Sequence, residues 1–149
     1  MKNLFEGASA AEIKDRIGRL RPDSQRQWGV MTVPQMMAHC SAWMEIAMGE
    51  KNPPRSLIGR VVGKLAKKSI LGEAPIHRNM PTMKSLIMSD ERQFDEEQLR
   101  LIDWVERFSA GGPEQCTTHP HSFFGPMTPI EWATMAYKHL DHHLKQFNV

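Results

Sequence analysis

The C-terminal part of the chain carries three of its seven histidines within five positions, at His139, His142 and His143. In a helix, residues four positions apart lie on one face, one turn from each other, so His139 and His143 could both bind a single metal ion. Imidazole nitrogen is a ligand that zinc, nickel and iron all accept. The H-x-x-x-H spacing therefore indicates half of a divalent-metal site, which needs a further ligand from another part of the chain.

The helical phase of this stretch separates the three histidines. At about 100° per residue, His139 and His143 point into the same sector as Trp132, which is the apolar and therefore core-facing side. His142 lies at the edge of that sector, next to the side that carries the lysines. We therefore predict that His139 and His143 are metal ligands and that His142 lies at the rim of the site.

A third ligand has to come from a different helix. The stretch QMMAHCSAWMEIAMG, residues 35–49, places His39 on one helical face with Met36 and Trp43. Leaving a buried imidazole unpaired would cost on the order of 1–3 kcal/mol, so His39 needs a partner. A histidine alone in a core is usually satisfied by a backbone carbonyl or a water. Three inward histidines on two core-facing helices favour a shared ion instead.

A site of three neutral imidazoles is typical of catalytic zinc, because the ion stays fully dipositive and keeps at least one open position. Each ligand should also donate its other ring N–H to an outer acceptor, and Gln146 lies on the histidine face for that purpose. No acid or base is found on this face. Asp141 points away, and Glu45 lies well around its helix from His39. Catalytic residues are therefore not identified.

The segment CTTHPHSFFG, residues 116–125, directly precedes the histidine-bearing helix. We predict that it folds over the mouth of the site and brings His119 or His121 near the ion. The alternative, a second metal site formed with Cys116, lacks a partner pair elsewhere. Cys40 is interpreted as a small core residue, because adjacent residues diverge by about 100° on a helix.

Four amphipathic segments are predicted to position these side chains, at about residues 9–20, 32–48, 95–111 and 128–147. Thr32 with Gln35, and Thr128 with Glu131, have the spacing of a capping box, each around a proline in the first turn. No strand is indicated. The sequence thus predicts an all-α four-helix bundle that forms a single domain over residues 1–149.

The long connection between the second and third of these helices, residues 50–90, contains an additional short helix in SLIGRVVGKLAKKS. Its aliphatic residues share one side and its basic residues the other. Residues 51–84 carry a net charge of +7, which leaves −5 for the rest of a chain whose total is +2. We interpret the helix as a crossover lying on the bundle. The alternative is that residues 51–84 bind an anionic surface or nucleic acid.

Composition restricts the location and partners. The two cysteines show no pairing pattern, and the chain has neither a signal-peptide pattern nor an apolar run of the ~18 residues that a membrane span requires. We therefore expect a cytoplasmic protein without a nucleic-acid or membrane partner, acting on a small molecule.

Three motifs resemble a known family: WGVMTVPQMMAHC, SFFGPMTPIEW and YKHLDHHLKQF. In sequence and in order they resemble the corresponding motifs of the DinB-like (YfiT-like) superfamily of metal-dependent four-helix bundles. Within it, they resemble a bacterial branch of unestablished function. The resemblance implies one zinc, nickel or iron ion held by His39, His139 and His143, chemistry on small thiols with a low-molecular-weight thiol as co-substrate, and a homodimer.

These observations lead to three hypotheses about function. The first is a metal-dependent enzyme, a transferase or hydrolase acting on a small substrate that, by the resemblance, bears a thiol. The second is a metal-binding protein without catalysis, in which the ion stabilises the bundle or reports the metal supply. The third is binding of an anionic surface through residues 51–84. An open coordination position would favour the enzyme, and a ligand set closed by a fourth side chain would favour the structural role.

Overall fold

The computed structural model describes residues 1–149, and its regular secondary structure is helical apart from one isolated bridge between His121 and Gly125. The all-α prediction is confirmed. The five helices are α1 Gly7–Arg19, α2 Val33–Ala47, α3 Leu57–Ile70, α4 Phe94–Gly111 and α5 Pro129–Gln146. Two 3₁₀ turns, Lys84–Leu86 and Gly112–Gln115, lie in the connections.

Helices α1, α2, α4 and α5 pack around one core. Helix α2 packs against α4 and α5, and α1 packs against the same two helices from the opposite side. The largest fully buried side chains come from all four helices and include Ile13, Met36, Met44, Leu101, Phe108, Trp132 and Leu140. The contact between α2 and α5 matters most for function, because these helices carry the candidate ligands.

Both predicted capping boxes are present and determine where α2 and α5 begin. The backbone N–H of Thr32 donates to Gln35 Oε1 at 3.0 Å, and the Thr32 hydroxyl accepts from the Gln35 N–H at 3.4 Å. Thr128 and Glu131 make the same pair of bonds at 2.8 and 3.3 Å. Because each cap fixes the first turn, it also sets the phase of the helix and the face on which its histidines lie.

Helix α3 leaves its aliphatic side exposed, although an amphipathic helix usually buries that side. Leu57, Val61 and Leu65 are 78%, 85% and 76% exposed. The buried residues of α3 are Gly59 and Gly63. A Cβ on Gly59 would lie only 2.5 Å from the Phe123 carbonyl oxygen. The helix backbone thus approaches the chain before α5 so closely that only its glycine side can face inwards.

Hydrogen bonds and an ion pair hold α3 in this orientation. The Ser56 N–H donates to the Ser122 carbonyl at 2.9 Å. Lys67 Nζ lies 2.9 Å from Glu131 Oε1 and donates to the Pro126 carbonyl, also at 2.9 Å. Lys67 therefore belongs to the inner side of α3, and the basic residues of this helix do not all share one solvated face.

Replacing Gly63 with alanine is expected to destabilise the protein, because the new Cβ would overlap the carbonyl oxygen of Phe123, which cannot rotate away. Overpacking of this kind costs typically about 1–3 kcal/mol. Gly18→Ala in α1 is the matched control. Nothing lies within 4 Å of a Cβ at Gly18, so alanine there should stabilise by about 0.5–1 kcal/mol. Urea unfolding of both variants measures the difference, and equal stabilisation would contradict the close approach.

None of the five helices is both long enough and apolar enough to cross a lipid bilayer.

Candidate metal centre

Three histidines meet between α2 and α5, although His39 is 100 residues away from His139 in the sequence. One ring nitrogen from each of His39, His139 and His143 lies within 4.8 Å of the others. His39 Nε2 and His139 Nε2 are 3.1 Å apart. The ring centroid of His143 is 4.7 Å from those of both other histidines. The structure thus brings together the three residues that were predicted as ligands.

The spacing of these nitrogens fits a shared ion. Zinc binds imidazole nitrogen at about 2.0–2.1 Å, so two ligand nitrogens on one ion lie roughly 2.8–3.4 Å apart for bond angles near 90–110°. The 3.1 Å between His39 Nε2 and His139 Nε2 falls in this range. The chemistry of the donor set and its geometry are therefore both compatible with a divalent metal.

The proton of His39 is fixed on the nitrogen that faces away from the cluster. His39 Nδ1 lies 2.7 Å from the backbone carbonyl oxygen of Leu86, in the 3₁₀ turn Lys84–Leu86. A carbonyl can only accept, so Nδ1 carries the proton and donates it. The lone pair of His39 Nε2 is thereby directed towards His139. Leu86 is not among the predicted site residues, because the group that acts is its backbone carbonyl, which leaves no signature in the residue type.

A two-step chain of hydrogen bonds orients His143 in the same way. The side-chain amide of Gln146 donates to the Trp28 carbonyl at 2.7 Å, which places its Oε1 against His143 Nδ1 at 3.0 Å. His143 Nδ1 must therefore carry the proton, and its Nε2 keeps a free lone pair. Gln146 stands where an outer acceptor was predicted, and Trp28 is the residue that fixes the direction of its amide.

His139 is held by packing. Its ring lies 5.1 Å from the Trp43 ring at an interplanar angle of 31°, and its Nδ1 is buried without a hydrogen-bond partner. Without an outer acceptor, the tautomer of His139 is set by what its Nε2 meets. A proton on Nε2 can be donated to His39, and an ion at the same place would require the proton to be on Nδ1.

Burial keeps the three imidazoles neutral. It lowers the pKa of His39, despite the opposing effect of the Leu86 hydrogen bond. Burial and the neighbouring His39 lower the pKa of His143 to about 3. The pKa of His139 is also lowered well below its usual value, first by burial and then by His143 and His39. Neutral imidazole is the form that binds a metal, so the fold keeps this cluster in its ligating state.

Aromatic rings extend from the cluster towards the chain before α5. The ring centroids of Trp43 and Trp132 are 5.7 Å apart, and those of Trp132 and His121 are 5.4 Å apart. His121 Nδ1 accepts the backbone N–H groups of Phe123 and Phe124 at 3.1 and 3.2 Å, so its proton lies on Nε2. His121 is buried next to this aromatic wall and does not belong to the group of nitrogens that could hold an ion.

The other predicted site residues have separate positions. His142 is half-buried at the edge of the cluster, with its ring 5.1 Å from His143 and 5.5 Å from Trp28. His119 lines a surface cleft together with Cys116. The three histidines His39, His139 and His143 form the only group of three or more His, Cys, Asp or Glu side chains that could hold an ion, so the alternative second site at residues 116–121 does not form.

The two acids nearest to the candidate ligands in the sequence, Asp141 and Glu45, are both engaged in ion pairs. Asp141 pairs with Arg16 at 2.9 Å and with Lys145 at 2.8 Å. Burial alone would raise the pKa of Asp141, but the hydrogen bonds from Lys145 and Arg16 outweigh it and lower the pKa. Glu45 likewise pairs with Lys51, at 2.6 Å, and with Arg100. Asp141 thereby joins α5 to α1, and Glu45 joins α2 to α4.

The two cysteines are poor nucleophiles in this structure. Cys40 is fully buried, and burial raises the pKa of its thiol. Burial also raises the pKa of Cys116 to about 11. Since the thiolate is the reactive form, neither residue is suited to nucleophilic attack near pH 7. The interpretation of Cys40 as a core residue agrees with its complete burial.

Comparison with known proteins gives one result. No curated protein and no solved structure matches the chain significantly. Residues 6–149, which include all three clustered histidines and every helix, match the family described as "Protein of unknown function (DUF1569)". The chain therefore belongs to the DUF1569 family.

Proposed function

We propose that this protein binds one divalent metal ion through His39, His139 and His143, and that it is a metal-dependent enzyme of the transferase or hydrolase class. The supporting observation is the preset direction of the ligands. Leu86 and Gln146 accept the outer protons of His39 and His143, so lone pairs on two helices are directed into one space. A core that needed only to satisfy these imidazoles would not require two lone pairs to converge.

His39, His139 and His143 would hold the ion as neutral imidazoles, and a divalent ion bound in this way would supply a bound water with a pKa lowered towards about 7, or a binding position for a thiolate. The chain's own residues would support either use. Gln146 and Leu86 hold the ligand rings in position, and the packing of Trp43 on His139 restricts water on that side. The protein offers no free carboxylate at the cluster, so the proposed chemistry relies on the ion and not on a side-chain acid or base.

The substrate class is proposed from the resemblance to the DinB-like superfamily. The motifs around His39 and the H-x-x-x-H pair on α5 support a small thiol-bearing substrate, with a low-molecular-weight thiol as co-substrate. The same resemblance supports zinc or nickel, with iron as a third choice, and a homodimer. The two free cysteines, Cys40 and Cys116, support a reducing cytoplasmic location. Imidazole ligands alone do not select among these metals.

A structural role for the ion is the second candidate, and one observation favours it. His39 joins α2 to the 3₁₀ turn Lys84–Leu86 through the Leu86 carbonyl, and it meets α5 through His139. An ion here would therefore tie the long connection and two helices together. In that case the binding energy would contribute directly to folding.

Cobalt substitution separates the two candidates. We expect that cobalt(II) bound to the full-length protein gives a visible spectrum that changes when cysteine or another small thiol is added, because the open position accepts the thiolate. Chelation should cost only modest stability, since the core of the bundle is built from fully buried residues such as Phe108 and Trp132. Absorption spectroscopy and thermal unfolding, each with and without chelator, are the measurements.

The matched control is His143→Ala, which should give no cobalt spectrum of this kind. A spectrum that ignores added thiols, combined with loss of the folded state on chelation, would refute the enzyme and leave the structural metal. Absence of stoichiometric cobalt, zinc, nickel and iron from the wild type would refute both.

A further inference from the structure

The aliphatic face of α3 points away from the protein, and we propose that it docks on an anionic lipid bilayer. The helix would lie in the interface with its aliphatic side chains among the lipids and its basic residues at the headgroups. The composition alone predicts no membrane partner, and the exposed aliphatic side of α3 is the observation that favours one. This surface is separate from the histidine cluster.

Helix α3 is oriented with its glycines inwards and its aliphatic side outwards. Gly59 and Gly63 lie against the backbone of Phe123, and any side chain larger than hydrogen would prevent that contact. The helix therefore cannot turn its aliphatic side inwards. The residues left exposed on the opposite side form one continuous ridge: Leu57, Ile58, Val61, Val62 and Leu65. On a helix they span about 140° of arc.

Helix α3 is also positively charged. Helix α3 contains four basic residues and no acidic residue. Lys67 is occupied by Glu131 and the Pro126 carbonyl, whereas Arg60, Lys64 and Lys68 are exposed beside the aliphatic ridge. A helix with one aliphatic face, a basic border and low net hydrophobicity is the pattern that lies in the plane of a membrane interface. Basic residues next to the ridge are attracted to anionic headgroups.

A second copy of the chain fits this face less well. A helix of 14 residues is about 21 Å long and 10 Å wide, so its face covers roughly 200 Å². A stable protein interface needs about 800 Å² on each partner. Pairing α3 with its own copy would also place Arg60, Lys64 and Lys68 near the same cations of the other molecule, without an acid on the helix to neutralise them.

Nucleic acid fits less well than lipid for a different reason. The basic residues could contact phosphates, but the five aliphatic side chains would remain in water. An anionic bilayer satisfies both halves of the surface, because binding strength there grows with the buried apolar area and with the attraction of cations to the headgroups. Since no helix can cross the bilayer, the attachment would be peripheral and reversible.

Vesicle co-sedimentation of the full-length protein tests the proposal. The vesicles contain phosphatidylcholine alone, or phosphatidylcholine with about a quarter phosphatidylserine, at low and high sodium chloride. We expect binding to the anionic vesicles that weakens as salt rises. Val61→Ser with Leu65→Ser, and separately Lys64→Glu with Lys68→Glu, should each reduce the binding at least roughly tenfold. Each pair removes one half of the pattern while changing only exposed side chains.

Two matched controls lie on other exposed surfaces. Leu99→Ser removes an exposed leucine from α4. Arg19→Glu with Arg21→Glu reverses two exposed cations that lie outside α3, at the end of α1 and just after it. Both should leave vesicle binding unchanged. The proposal would be overturned by a folded wild type that ignores anionic vesicles, or by binding that survives the Val61 and Leu65 changes. It would equally be overturned by a dimer in solution that those two changes dissociate, since the ridge would then belong to a second copy.

Discussion

Replacement of His143 by alanine is expected to abolish stoichiometric metal binding in protein purified without an affinity tag. The same result is expected for His39→Ala and His139→Ala, because one ring nitrogen of each contributes to a set within 4.8 Å. Two imidazoles cannot hold the ion as three do, and the loss should exceed the roughly 10–100-fold that follows from disturbing an outer partner. Elemental analysis by mass spectrometry, together with competition against a chromogenic chelator, measures the stoichiometry and affinity.

His142→Ala is the matched control for this experiment. It removes an imidazole from the same helix, and the His142 ring is only 5.1 Å from His143, but it lies outside the converging set. We expect this variant to keep most of its metal. Equal loss of metal in all four variants would show that the histidines act as a diffuse group and that the assigned ligand set is wrong.

The second large effect is expected at Gln146, which contacts His143 and would act on the proposed ion only through that ligand. Gln146→Leu removes the acceptor at His143 Nδ1, where the present distance to Gln146 Oε1 is 3.0 Å. The His143 ring then loses the bond that fixes its tautomer, and loss of such an outer partner costs typically about 10–100-fold in metal affinity. Gln146→Glu keeps an acceptor oxygen and should recover part of the affinity. Chelator competition on both variants gives the comparison.

Gln98→Leu provides the control for a simple loss of stability. Gln98 donates to the Ile17 carbonyl at 2.8 Å, a side-chain bond to backbone like the bond of Gln146 to Trp28, but between α4 and α1. Its removal should lower the free energy of unfolding by about 0.5–1.5 kcal/mol and leave metal affinity unchanged. If Gln98→Leu and Gln146→Leu weaken metal binding equally, Gln146 acts on stability and not on His143.

Much of the helical framework could be read from local patterns. The capping boxes at Thr32 and Thr128 are local signals, since both of their hydrogen bonds join residues three positions apart. They place the starts of α2 and α5 to within a residue, and the α-helical period then determines which face carries His39, His139 and His143. For this reason the candidate ligand set could be predicted without coordinates.

The orientation of α3 could not be read in this way. An aliphatic stripe normally marks the buried side of a helix, but in α3 that side faces solvent. Which side is buried depends on what α3 meets, and it meets the backbone of Phe123, more than fifty positions further along the chain. The two backbones approach so closely that only residues without a side chain, Gly59 and Gly63, fit between them. Steric exclusion by a distant segment overrode the hydrophobic pattern.

Of the two outer partners of the histidines, one could be predicted from the sequence and the other could not. Gln146 was a candidate from the sequence, because it is three residues from His143 on one helical face. The Leu86 carbonyl was not, since a backbone oxygen 47 positions from His39 has no residue-type signal. The sequence by itself determined the helices, their phase and the three inward imidazoles, through local hydrogen bonds and periodicity. Only the tertiary structure decided which lone pairs converge and which face of α3 meets solvent, because both depend on contacts between segments that are distant in the chain.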